Sequence, residues 1–294
     1  MEKCVITEAL QHFRGIGPVR LAQLHEAGVR SWHDAVAAPE RLAPGLRREI
    51  VDESERCLQA LADDDIQYFV LNLCARDKWR VLHQYLDRAT FFDIETTGLE
   101  YDDTITVIVC WHKDRLHTFV EHENLDDFLD LLDDVDLLAS FNGSTFDVPR
   151  VLDGFHIPEL PCPHLDLRWP CYHRDLQGGL KQAVSQLGID RPPDLQDVDG
   201  SFAVELWSMW QNQQNQAARD QLIRYCAADV LLLLPLADVL VGRPPRMVSE
   251  LWSHLPHADL PPTSTAAAQP GRAIAAKMFG QGSPSRLRTR RRSV

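Results

Sequence analysis

Thr90-Phe91-Phe92-Asp93-Ile94-Glu95-Thr96-Thr97-Gly98-Leu99 joins aromatic and β-branched residues to two acids and breaks at a glycine. That composition predicts a strand ending near Gly98. Residues two apart on a strand share a face, so Asp93 and Glu95 converge while Ile94 points into the opposite core. Two carboxylates held together raise each other's pKa unless a cation sits between them. Hard divalent cations such as Mg²⁺ or Mn²⁺ take oxygen ligands and bridge carboxylate to phosphate.

Downstream, Thr104–Trp111 and Leu116–Val120 are two further strand candidates, which with the first suggest a three-stranded antiparallel meander. Leu125–Leu132 reads as a helix, Val135–Phe141 as a fourth strand, and a helix is expected after Asp147. A short strand fits His164–Leu167 and a helix fits Leu180–Leu187, ended by Gly188. Arg191–Gly200 is loop-like, and Val204–Trp210 and Ala217–Val241 are helical. Strands first, then strands alternating with helices, give an α/β fold with a mixed sheet flanked by helices. Upstream, Ile6–Phe13, Val19–Leu24, Trp32–Ala37 and Leu46–Leu61 carry helical periodicity, so residues 1–65 form a small all-α module. The apolar Ile66–Leu73 is expected to begin a strand within a connector, 66–88. The main domain spans 89–243, and 244–294 is a Pro-, Ala- and Arg-rich tail expected to be disordered.

Two more acids complete a pattern. Asp147 ends Asn142-Gly143-Ser144-Thr145-Phe146-Asp147, and Asp229 ends Tyr225-Cys226-Ala227-Ala228-Asp229. Tyr225 and Asp229, four apart, share one helical face. Asp229 precedes the apolar Val230–Leu234 and so stands at a buried margin, where an ionised carboxylate needs a partner. With 43 acids in the chain, any one of these is ordinarily a surface carboxylate or a helix cap. The ordered set is different. D-I-E-T-T-G-L, then N-x-x-x-F-D, then Y-x-x-x-D resembles the three motifs of the DEDD superfamily of 3′–5′ exonucleases, which have an RNase H-like fold. The tyrosine resembles the DEDDy branch, which includes proofreading domains of DNA polymerases. Asp93–Leu240, about half the chain, looks most like a stand-alone, mainly bacterial group of RNase H-like predicted exonucleases, an impression to which SFNGSTFDVP, HLDL and LKQAVSQLGI add.

The resemblance implies that Asp93, Glu95, Asp147 and Asp229 hold two divalent cations, Mg²⁺ or Mn²⁺. It implies that Tyr225 orients or helps activate the attacking water. It makes Thr96, Thr97, Gly98, Leu99, Asn142 and Phe146 substrate-binding, with Leu99 wedging against the terminal base. The product would be a nucleoside 5′-monophosphate. Asp166, in the HLDL segment, is expected to support the site rather than ligate, and Lys181 either meets a phosphate or is a solvated helix lysine.

Phe13-Arg14-Gly15-Ile16-Gly17-Pro18 resembles the hairpin of a helix-hairpin-helix element, although Leu21 replaces the small residue often found there. Glycines at such a turn let backbone N–H groups approach a phosphate, so Gly15, Ile16 and Gly17 are candidate nucleic-acid contacts, against a packing turn as the plain alternative. Cys162, His164, Cys171 and His173 supply soft ligands within twelve residues, but the spacing is no common finger and zinc is not expected.

Composition narrows the rest. The net charge is −13 over 294 residues, which taken as an average argues against a polyanionic partner. The average conceals two unlike parts, because the last 35 residues hold seven basic and no acidic side chains. Arg286, Arg288, Arg290, Arg291 and Arg292 read either as a phosphate-binding arm or as a solvated tail. No apolar run approaches the roughly 20 residues of a membrane helix, and the first residues lack a signal-peptide-type apolar stretch. Seven cysteines without a regular framework suit a reducing, cytoplasmic setting. The sequence therefore predicts a metal-dependent 3′–5′ exonuclease acting on DNA or RNA, with single-stranded 3′ ends as substrate. Its rivals are RNase H-like endonucleolytic cleavage of structured or hybrid substrates and a non-catalytic nucleic-acid-binding protein.

Overall fold

The computed structural model describes residues 5–258 apart from 101, 197 and 199. The expected tail beyond residue 258, with its arginines and a short helix that Ala273–Phe279 could form, lies outside the described residues, whereas 244–258, expected to be disordered, holds a helix at Val248–Trp252 because Leu251 and Leu255 bury in the core.

The described chain begins with one 3₁₀ turn, Val5–Glu8, where a longer amphipathic helix was expected. Five helices follow: α1 (Pro18–Glu26), α2 (Trp32–Ala37), α3 (Arg47–Ala62), α4 (Ile66–Asn72) and α5 (Lys78–Tyr85). The α4 segment corrects the strand expected at Ile66–Leu73. Its apolar residues Ile66, Phe69, Val70 and Leu73 fall at i, i+3, i+4 and i+7, and all four are buried. Asp65 caps it by accepting a 2.8 Å hydrogen bond from the Tyr68 N–H. The helical region thus runs through the stretch 66–88 to the first strand.

The strands are β1 (Ala89–Thr96), β2 (Ile105–His112), β3 (Arg115–Val120), β4 (Leu137–Ser140) and β5 (His164–Asp166). They form one sheet in the order β3-β2-β1-β4-β5. The first three are the antiparallel meander read from the sequence. β4 then joins β1 in parallel, Phe91 opposite Ala139, and β5 joins β4 in parallel, Ser140 opposite Asp166. Helices α6 (Asp127–Leu132) and α7 (Asp147–Gly154) flank β4; α8 (Arg168–Tyr172), α9 (Leu180–Gln186), α10 (Gly200–Gln213), α11 (Gln216–Leu240) and α12 (Val248–Trp252) follow β5.

Alternation along the strands divides the apolar residues between two cores. Phe92, Ile94, Ile108 and Leu138 pack with Phe128 and Val151 of α6 and α7. Phe91, Val107, Val109 and Ala139 pack on the other face, against α11. α11 is apolar nearly all round, which marks a buried helix. Its N-terminus is capped by the Asn215 side chain, which accepts from the Ala218 N–H at 3.2 Å.

The α11-side core does not stop at the sheet. It continues without interruption into Ile6, Leu10, Phe13, Trp32 and Phe69 of the helical region. Trp32 is fully buried, donates its indole N–H to the Ala9 carbonyl at 2.6 Å and stacks on Phe69 at 5.8 Å. Arg88 adds a polar tie, reaching Asp64 at 2.6 Å and Asp136 at 2.9 Å. The described residues accordingly belong to one compact unit. Among the described residues, no helix is long and apolar enough to cross a membrane.

Candidate active site

The carboxyl ends of parallel strands are where open α/β sheets build sites, and the four acids gather there. β1 contributes Asp93 and Glu95, on the face opposite Ile94. The loop after β4 delivers Asp147 at the first position of α7, where a carboxylate also meets the positive end of the helix. α11 packs across this face and brings Asp229 from above. Asp93, Glu95, Asp147 and Asp229 line one cleft of about 680 Å³, together with Thr96, Gly98, Leu99, Phe141, Asn142 and Phe146. Gly200, Ser201 and Val204 of α10 form part of its wall.

The electrostatics are those of negative charge only partly compensated, by Arg191 and Lys181. Burial first, then the charges of Asp147, Asp229 and Glu95, push Asp93 well above the usual carboxylate range. Glu95 is raised by burial, then by Asp229 and Asp147, with Arg191 and Lys181 pulling the other way. Burial, with the Asp166 charge adding to it, lifts Asp147 to about 7. Asp229 is raised by burial against the opposing pull of Arg191. A set of four hard oxygen donors that repel one another fits divalent cations, which supply the missing charge.

The ligand atoms of Asp93, Glu95 and Cys226 lie within 4.8 Å of one another. The Cys226 thiol donates to the Asp93 carbonyl at 3.4 Å and to its carboxylate at 3.7 Å. Asp229 instead pairs with the Arg191 guanidinium.

The loop carrying Asp147 is held from below by Asp166. That carboxylate accepts from the N–H of Asn142 at 2.8 Å, the N–H of Ser144 at 3.2 Å and the Ser144 hydroxyl at 2.5 Å. Asn142 adopts a left-handed φ of 68°, and its side-chain oxygen accepts from Arg168. At Gly143 a Cβ would meet Ser140 Oγ at 1.9 Å and Asp147 Oδ2 at 3.1 Å, so any side chain there would have to displace Ser140.

The rim is built around Leu99, 83% exposed beside the cleft. Arg150 of α7 donates to the carbonyls of Leu99 at 3.2 Å, Glu100 at 2.5 Å and Asp103 at 2.8 Å, and lies 5.4 Å over the Phe146 ring. Gly98 permits this tight loop, since a Cβ there would sit 2.5 Å from the Asp103 carboxylate.

Two expected site residues are placed differently from the rest. Thr97 does not line the cleft and donates to Asp103 at 2.8 Å. Tyr225 is buried, with its ring 4.7 Å beneath Arg191 and 5.7 Å from Lys181 Nζ. Its phenol is raised by burial, then by Asp229 and Glu95, so it borders the cluster without lining the cleft. The sequence did not single out Arg191, Arg150 or Cys226. Each acts through a contact made across the fold, which spacing does not reveal.

Cys162, His164, Cys171 and His173 do not converge. Cys162 belongs to the α6/α7 core and Cys171 to the α11 core, on opposite faces of the sheet. His164 hydrogen-bonds Ser140 at 2.9 Å, and burial lowers it to about 4. In the N-terminal hairpin, Gly15 and Gly17 are exposed, but Ile16 is buried and its N–H is taken by the Phe13 carbonyl at 3.0 Å. Trp207 is buried and Trp210 partly so, as packing residues.

A sequence model of the RNase H superfamily matches residues 90–241. Among solved structures, the family B DNA polymerase from the hyperthermophilic archaeon Pyrobaculum calidifontis is similar at 18% identity and a TM-score of 0.40. That similarity covers 52% of this chain and 27% of the polymerase, so the chain spans little more than a quarter of that protein's length. No curated protein matches the chain.

Proposed function

The chain belongs to the RNase H superfamily, and from that premise we propose that it is a divalent-metal-dependent 3′–5′ exonuclease. It hydrolyses DNA or RNA from single-stranded 3′ ends and releases nucleoside 5′-monophosphates. The observation that carries this reading is the gathering of Asp93, Glu95, Asp147 and Asp229 from three separate elements into one cleft. Four carboxylates crowded into a desolvated groove, with their affinity for protons raised, have little structural use without cations to neutralise them.

Those four residues would hold two Mg²⁺ or Mn²⁺ ions. Bound there, the ions supply charge for the scissile phosphate, a nucleophilic water and stabilisation of the leaving oxygen. The chain's own residues do the positioning. Leu99 stands at the rim as an apolar wedge against the terminal base, braced through the Arg150 contacts to its loop. Phe146 and Asn142 form the floor beneath that base, and Thr96 and Gly98 supply the strand-end wall. Tyr225, bordering Asp229 and Glu95, orients the attacking water through its hydroxyl. The exposed turn at Gly15 and Gly17 offers a second, sequence-independent grip on the phosphate backbone.

End-labelled single- and double-stranded DNA, RNA and hybrid, incubated with and without Mn²⁺, provide the test. A ladder shortening from the 3′ end, dependent on metal, is expected. Internal cuts would instead establish endonucleolytic cleavage, and binding without cleavage a non-catalytic role.

A further inference from the structure

Arg191 carries a guanidinium that is ion-paired to a member of the acid cluster. Its side chain is 5% exposed and donates to Asp229, whose side chain is 13% exposed. The same guanidinium lies 4.7 Å over the Tyr225 ring and donates to the Val198 carbonyl at 3.3 Å. It enters from the loop after α9, which is pinned to α11 a second time where Arg224 pairs with Asp194 at 2.8 Å. One fixed cation therefore covers both α11 residues that the proposed reaction uses.

A buried carboxylate beside three others requires a positive partner. Arginine cannot supply relief by losing its proton, so its charge is permanent. The Nε of Arg191 is buried with no hydrogen-bond partner. The residue is thus held through its terminal nitrogens, by Asp229 and the Val198 carbonyl, and Asp229 is a member of the metal cluster.

We propose that Arg191 is a resident substitute for the metal ion at Asp229, and that the ion binds there only in exchange for the guanidinium. This rests on the metal-cluster reading above. Metal-free, Arg191 keeps α11 seated against β1 despite the crowding of four carboxyl groups. On exchange, Arg191 gives up Asp229 and uncovers the Tyr225 ring. The site is thereby protected from collapse when empty, and the ion at Asp229 binds more weakly than its partner.

Calorimetric titration of Mn²⁺ into the full-length, chelator-treated protein tests the exchange, alongside the melting temperature without metal. The wild type is expected to bind two ions of unequal affinity. Arg191→Gln should bind the weaker ion about tenfold more tightly, because no ion pair has to be broken, and should melt at lower temperature without metal. Saturating Mn²⁺ should restore most of that loss. Adding Asp229→Asn should abolish the weaker ion and the effect of Arg191→Gln on it. Unchanged or weaker binding of that ion by a folded Arg191→Gln protein would overturn the exchange and make Arg191 a fixed strut. If Arg191→Gln does not fold without metal, Arg191→Lys decides: its single contact should give a smaller gain, and wild-type affinity would overturn the proposal. A wild type that binds no Mn²⁺ overturns the metal-cluster reading too; two bound ions with no response to Arg191 overturn this inference alone.

Discussion

Asp166 accepts a 2.8 Å hydrogen bond from the backbone N–H of Asn142, and so the end of β5 fixes the loop that carries Asp147 into the cleft. The same carboxylate takes the Ser144 N–H and hydroxyl and the Arg168 N–H. Asp166→Ala should therefore lose about 2–3 kcal/mol, the scale of orphaning several buried donors to a charged acceptor. Urea denaturation measures the loss. A variant as stable as wild type would mean that the loop holds its shape without Asp166.

Asp93→Ala should lower metal-dependent nucleotide release on the order of 10³-fold or more, because acids that share ions act as a unit. The same change removes one of four crowded, desolvated carboxyl groups and should leave the metal-free protein no less stable. Release assays with Mn²⁺ and melting in chelator read the two effects separately. Undiminished release would remove Asp93 from the site.

The raised Asp147 carboxyl, near 7 against an ordinary 3.8, sets a sign for pH dependence. Between those values the metal-free folded protein binds a proton that the unfolded chain does not. Its contribution to stability is therefore present at low pH and is lost as pH rises through about 7. Divalent ions compete with that proton, so stabilisation by Mn²⁺ should grow from pH 5.5 to 7.5. His12 and His164, both lowered to about 4 by burial, act oppositely: their stability is lost as pH falls below 6.5 towards 4. Taking the difference between melts with and without Mn²⁺ cancels the histidines. A flat difference across this range would contradict the metal reading of Asp147.

Tyr225→Phe should slow turnover at saturating substrate while leaving Mn²⁺ affinity within about twofold, the pattern of a group needed in the transition state more than in binding. Single-turnover kinetics with calorimetry checks both. Wild-type turnover would make Tyr225 a packing residue under Arg191.

Arg14 is exposed beside the glycine turn. Arg14→Glu should weaken nucleic-acid binding uniformly across sequences and reduce its salt dependence by about one counterion. The melting temperature should not change. An unaltered salt dependence would assign the turn to packing.

Much of this arrangement was legible in the chain. Alternation placed Asp93 and Glu95 on one face because strand periodicity is local, and α11 showed itself by the apolar run Val230–Ala237 that follows Asp229. At Ile66–Leu73 composition suggested a strand, but the positions of Phe69 and Val70 and the Asp65 cap follow the helical period. Arg191 could not be read, since it reaches Asp229 across 38 residues and its neighbours Pro192 and Pro193 mark only a loop. Arg150 was hidden for the same reason, lying 51 residues from the Leu99 carbonyl that it holds.

The core that runs unbroken from Ile6 and Trp32 into the sheet has a mechanical corollary. The glycine turn and the acid cleft share one continuous core, so a hinge between them would have to break apolar packing that separate beads on a string would not have. If both touch one nucleic acid, the protein works as a caliper: the number of nucleotides between grip and cut is set by the packing of the helices, and only repacking that core would alter the gauge.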